Sequence, residues 1–190
     1  KFPRLCAQAD QMFALRKGST KIVGDEIIKN ARAMGLQPEN LGIDSTGNGA
    51  SIRDYVSAIM GTECCGVNFS DPATDTKILV QDKYMASEIY QGLVTEVWFA
   101  LKQWMEFGCF ALGPGMLRDP LDQELLGRRY ILGAGSLLRV EKKDDFIKRF
   151  GKSPDHADSL TIFQHVVRVR EKVMGSMTDS QTRKQLPVRV

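Results

Sequence analysis

Apolar positions along the chain alternate between helical spacing and short dense runs set between turn formers, and the two regimes predict different elements. Ile22, Val23, Ile27, Ala31 and Met34 recur at mostly three- and four-residue steps after Ser19 and Thr20, which can cap a helix, and Gly35 ends the run. Before that helix, Gln11–Arg16 reads as a short strand closed by a Lys17–Thr20 turn. After it, Asn40–Asp44 is a short apolar strand ending on a carboxylate. A glycine-rich turn at Ser45–Ala50 then leads into a second amphipathic helix marked by Ile52, Tyr55, Val56 and Ile59.

Cys64–Phe69 predicts a further strand and Ser70–Thr76 a polar loop. A long helical region, Tyr84–Phe107, carries Ile89, Leu93, Val97, Leu101, Trp104 and Met105 on one face, with Trp98 and Trp104 read as core. Beyond a loop at 113–120, Leu121–Leu126 supports one or two helical turns. Arg129–Leu132 and Leu137–Val140 flank a Gly133–Ser136 turn as a β-hairpin. Asp144–Arg149 is a short charged helix, broken at Gly151–Pro154, and a last helix runs from Asp155 to about Met174. This order predicts an α/β fold in residues 1–174, followed by a polar tail at 175–190.

Composition narrows the class. Of 190 residues, 43% are hydrophobic and 26% charged, which fits one folded domain rather than a disordered or disulfide-built chain. The apolar run GLVTEVWFALKQW is broken by Glu96 and Lys102 short of membrane-spanning length, so neither a membrane span nor a secretion signal is expected. Four cysteines without a C-x-x-C pair argue against structural zinc and for reduced thiols in a cytosolic setting. The net charge of +3 hides an asymmetry: residues 1–127 hold 12 Lys and Arg against 16 Asp and Glu, whereas 128–190 hold 14 against 7. A basic segment of that kind is either a solvated face or a docking surface for a polyanion.

Two acidic positions stand out by their place in the predicted elements. Asp44 ends a buried strand, where open α/β sheets place ligands, and it either binds a cation or turns the loop by accepting amide hydrogens. Ser153 suits an N-cap and Pro154 the first helical position, which puts Asp155 in the first turn, at the positive end of the helix. Asp158 follows three residues later on nearly the same face, and two carboxylates so placed repel unless a positive charge lies beside them. A strand-end carboxylate facing such a pair is an oxygen-rich arrangement suited to Mg²⁺ or Mn²⁺. The Gly47-x-Gly49 pair is too short for a phosphate-loop signature.

Taken together, PENLGIDSTGNGASIRDYV, GVNFS, the helical block around Tyr84–Gly108 and the closing string RRYILGAGSLLRVEKKDDFIKRFGKSPDHADSL resemble the nuclease domain of the large terminase subunit of tailed bacteriophages, across roughly residues 10–170. The resemblance implies a ribonuclease H-like fold: a central mixed sheet flanked by helices, with an added β-hairpin. It further implies a two-metal Mg²⁺- or Mn²⁺-dependent endonuclease, placed after an ATPase motor, that cuts double-stranded viral DNA during packaging in the host cytoplasm. The small terminase subunit and portal are the implied partners. By the same resemblance Asp44 is the second acidic residue, Asp155 the third and Asp158 its companion. The first belongs to a strand ending at or just before Lys1, with Asp10 in the polar turn that follows. Arg129, Arg139, Lys142, Lys143, Lys148 and Arg149 are the residues expected to meet the DNA backbone. Other readings of the same residues are a resolvase, an actin-like phosphotransferase using the Gly47 loop, or a DNA-binding module without catalysis.

Overall fold

The computed structural model describes residues 7–177 except 13, 16, 80 and 117. Strand β1 (Ala7–Ala9) pairs in parallel with β4 (Phe110–Leu112), and β2 (Gly42–Asp44) pairs in parallel with β3 (Cys65–Val67). β5 (Tyr130–Leu132) and β6 (Leu138–Val140) form the expected antiparallel hairpin, turned through Gly135 at φ +66°. Around these ladders lie helices α1 (Thr20–Ala33), α2 (Gly49–Met60), α3 (Ala86–Ile89), α4 (Leu93–Glu106), α5 (Arg118–Gly127), α6 (Lys143–Phe150) and α7 (Asp155–Met177). The fold is mixed α/β, and no helix among the described residues is long and apolar enough to cross a membrane.

Local chemistry explains most of these elements. Ser19 caps α1 by accepting the Ile22 amide, and Gly61 and Gly151, both left-handed, end α2 and α6. The main core gathers Val97, Trp98, Leu101 and Trp104 of α4 with Leu160, Phe163 and Val167 of α7, Phe110 of β4 and Leu121 of α5. A smaller core of Ile28, Ile43, Val56 and Cys64 binds α1 and α2 to β2. Both tryptophans are core residues, as their spacing predicts.

Three expectations change. The strand expected at Gln11–Arg16 lies instead at Ala7–Ala9: Gln11, Met12, Ala14 and Leu15 are outside any strand, and Phe13 and Arg16 lie outside the described residues. Asp10 therefore follows a strand within the chain, not one ending before Lys1. The single helix expected over Tyr84–Phe107 is two. Tyr90 makes a parallel bridge to Leu138 and Gln91 donates its amide to the Leu138 carbonyl, so hairpin pairing takes the backbone bonds a continuous helix would need. The last helix runs three residues past Met174, to Met177, and the rest of the expected tail lies outside the described residues.

What positions the site is the crossing of α7 over β2. At Gly42 a Cβ would sit 2.6 Å from Val166 and 2.7 Å from Ile162, so only glycine lets the helix lie this close to the strand. The start of α7 is thereby carried to the carboxyl end of β2.

Candidate metal centre and its basic flank

Asp44 is the last residue of β2 and is half-buried. Its Oδ1 accepts the Thr46 amide at 2.8 Å, and Thr46 Oγ1 accepts the Phe69 amide at 3.0 Å, which ties the loop to the end of β3. A Cβ on Gly49 would meet the Asp44 carbonyl at 1.9 Å, so that glycine is required by close approach of the backbone to itself. Asp44 thus turns its loop, and it also lines a cavity of about 370 Å³ shared with Lys143, Asp155, Asp158 and Ser159. The structure brings together all three carboxylates singled out in the sequence.

The two α7 carboxylates share a cation supplied by the protein. Lys143, at the start of α6, places its Nζ 3.1 Å from Asp155 Oδ1 and 3.0 Å from Asp158 Oδ2. Asp158 is anchored from behind: its Oδ1 accepts from Trp98 Nε1 at 3.3 Å and from Arg128 Nη1 at 3.4 Å, while Arg128 lies 4.7 Å over the Trp98 ring and donates to the Glu141 carbonyl. Its Oδ2 is left to face Lys143.

The environments of the pair differ. Asp158 is 9% exposed, and burial pushes its carboxyl up from the ordinary range, with Lys143 and Arg128 only partly offsetting that. Asp155 is 74% exposed; burial is the largest single influence and raises its carboxyl, but hydrogen bonds from Ser153 and Lys143 and the charge of Lys143 together outweigh it and hold the carboxyl low. Burial pulls the Lys143 ammonium down, and the two carboxylates more than restore it, so it stays charged.

The cap of α7 is not the one read from the sequence. The first helical hydrogen bond runs from the Asp158 amide to the Pro154 carbonyl, and the Ser153 hydroxyl donates to the Asp155 carboxylate rather than accepting an amide. The amide of Ala157 is taken by Glu124 Oε2 of α5 at 2.9 Å, and Glu124 Oε1 lies 2.7 Å from His156 Nδ1. Neither Glu124 nor His156 was singled out by spacing. A glutamate on a short helix, 32 and 33 residues before the two residues it holds, carries no local signal of capping.

The expected DNA-facing cations divide into two groups. Lys143 is engaged with the carboxylates, Lys148 pairs with Asp145 at 2.9 Å, and Arg149 pairs with Glu141, donates to the Gly127 carbonyl and lies over the Phe150 ring. Arg129, Arg139 and Lys142 enter no ion pair among the described residues, and Arg129 and Lys142 are exposed. Asp10 Oδ1 accepts from the Gln8 side-chain Nε2 at the end of β1, and Asp10 does not line the cavity.

A divalent ion requires oxygen ligands, and the cavity offers carboxylates arranged about a positive charge, which fits such an ion in chemistry. In geometry, no three ligating side chains among the described residues converge tightly enough to hold one. The Lys143 ammonium stands where Asp155 and Asp158 would present a shared cation.

No family model matches the chain, and no curated protein matches it in sequence. Solved structures do match in fold. The nuclease domain of the large terminase subunit gp2 of bacterial virus Sf6 is 14% identical, with 84% of this chain and 86% of that one covered and a TM-score of 0.61. The K428A mutant of that domain with manganese is 13% identical over 76% and 72%, with a TM-score of 0.62, and its form with manganese and beta-thujaplicinol gives 0.60 over 84% and 86%. The chain therefore has the fold of a terminase nuclease domain.

Proposed function

We propose that the chain is a metal-dependent endonuclease domain that cuts double-stranded DNA during viral genome packaging, on a ribonuclease H-like central mixed sheet to which the hairpin is added. The observation that carries this reading is that Asp44, Asp155 and Asp158 line one cavity, with a cation already bridging two of them. The fold shared with a nuclease domain solved with manganese supports it.

Asp44 and Asp155 are the residues that would hold Mg²⁺ or Mn²⁺, with Asp158 presenting its free oxygen once Lys143 withdraws. A hard divalent pair at such a site supplies an activated water and neutralises the leaving oxygen of a phosphodiester. The protein's own part is to orient. Trp98 and Arg128 fix Asp158 through one oxygen, the Thr46 amide fixes Asp44, and this reading assigns the exposed Arg129 and Lys142 and the half-buried Arg139 to phosphate contacts that read no sequence. Lys143 and the paired Lys148 and Arg149 join them if their intramolecular partners release them. The small terminase subunit and portal are the partners this reading implies, and the host cytoplasm its setting.

The test is nicking of supercoiled plasmid in Mn²⁺, with EDTA as control. Cleavage should disappear in Asp44→Asn and in Asp155→Asn while both variants stay folded. Cleavage retained in either would remove that residue from the site. A second reading, DNA binding without catalysis, is favoured by the absence of three converging ligands among the described residues. It predicts Ca²⁺-independent duplex binding and no cleavage by the wild type.

A further inference from the structure

We infer that Glu124 is a positioning residue for the nuclease site: it sets the direction of the first turn of α7, and with it the placement of Asp155 and Asp158 toward Asp44. This rests on the function proposed above. The observations belong to Glu124 itself. It is fully buried, lies on α5 rather than on the helix it serves, and uses both carboxylate oxygens on consecutive residues of α7, the His156 ring and the Ala157 amide.

The need for it follows from the local sequence. Pro154 precedes the helix and has no side chain able to cap it, and the Ser153 hydroxyl is directed to the Asp155 carboxylate. The Ala157 amide would otherwise be an orphan in a buried site, since Ala157 is fully buried. The carboxylate also lies at the positive end of a 23-residue helix, where a negative charge is favoured. Asp155 and Asp158 flank the two residues that Glu124 holds, so a rotation of this turn moves both carboxylates at once.

A purely structural cap would affect folding alone, whereas a positioning residue also affects metal affinity in protein that remains folded. The probe is Mn²⁺ alone. Its binding to the 190-residue chain is measured from the electron paramagnetic resonance signal of free Mn²⁺, with circular dichroism to confirm folding. Partners of metal-binding side chains typically change affinity by 10–100-fold, so Glu124→Ala should weaken Mn²⁺ binding about tenfold and Glu124→Asp, which reaches only one of the two donors, about threefold. Glu124→Gln keeps an oxygen for the Ala157 amide and should recover the larger part of the affinity. The Mn²⁺ concentration that half-saturates plasmid cleavage should shift in the same order, with duplex affinity in Ca²⁺ unchanged.

Folded Glu124→Ala with wild-type Mn²⁺ affinity would overturn the inference. Should that variant not fold, Glu124→Asp decides, and an unchanged Mn²⁺ affinity in it is equally fatal. Failure of the underlying nuclease reading looks different: the wild type itself would bind no Mn²⁺ and cut no DNA, and the inference would fall with it.

Discussion

Helix α7 carries two charged networks that differ in access. At its start, Asp155 and Asp158 share Lys143, whose side chain is 44% exposed and lines an open cavity. Three turns on, Arg168 pairs with Glu96 of α4, with exposures of only 4% and 0%, and Glu96 also accepts the Thr74 amide at 2.6 Å and its hydroxyl at 2.8 Å. The second network joins α7 to α4 and to the loop after β3. It is sealed, so no ligand can replace either partner, and its burial serves the scaffold. The first has the same chemistry, but its cation faces an open cavity. Burial of charge alone therefore does not mark a candidate site; burial at the wall of a cavity does.

The largest effect should come from the sealed pair. Arg168→Met leaves the Glu96 carboxylate buried without its cation, which should cost about 3–5 kcal/mol in urea unfolding, with Mn²⁺ affinity unchanged in the folded fraction. A double change, Glu96→Met with Arg168→Met, should recover part of the loss, since no buried charge then remains. Equal losses in single and double variants would mean that the pair is not the source.

Lys143→Met should behave in the opposite way. Because the lysine is half-exposed, the metal-free protein should lose only about 1 kcal/mol or less. Mn²⁺ should then raise the Tm of the variant more than that of the wild type, as no ammonium has to leave. An identical Mn²⁺ response in both proteins would show that Lys143 and the metal do not compete.

Within the open network, the two carboxylates should respond to pH with opposite sign in EDTA. Asp158 titrates above its unfolded value, so its contribution is complete below the ordinary carboxylate range and is lost as pH rises through its folded value. Asp158→Asn should therefore gain on the wild type as pH rises across that window. Asp155 titrates below its unfolded value; its contribution is present above the ordinary range and is lost as pH falls through its folded value. Asp155→Asn should lose ground as pH rises there. Parallel unfolding curves for the two variants would contradict the difference in their environments.

The smallest effect concerns the basic flank. If Lys142 meets a phosphate, Lys142→Ala should reduce the log–log salt slope of duplex binding in Ca²⁺ by about 0.9. Lys148→Ala should change it less, because Asp145 already neutralises that lysine. Equal slopes for wild type and Lys142→Ala would move the DNA path to another face.

Periodicity and turn chemistry were enough to place α1 and α2, the hairpin and the two core tryptophans, because each depends on neighbours within a few residues. Asp44 at a strand end and Asp155 with Asp158 at a helix start were legible for the same reason. Whatever joins distant segments was not. β1 forms at Ala7–Ala9 because it pairs with β4 about a hundred residues later, and α3 separates from α4 because Tyr90 and Gln91 bond to β6. The α7 cap comes from Glu124 on α5, the cation between its carboxylates from α6, and half of the expected DNA-facing cations are held by acidic partners within the protein. Local propensity selects elements, but a buried amide or carboxylate takes whichever partner packing brings within reach, and that choice is made only in the folded chain.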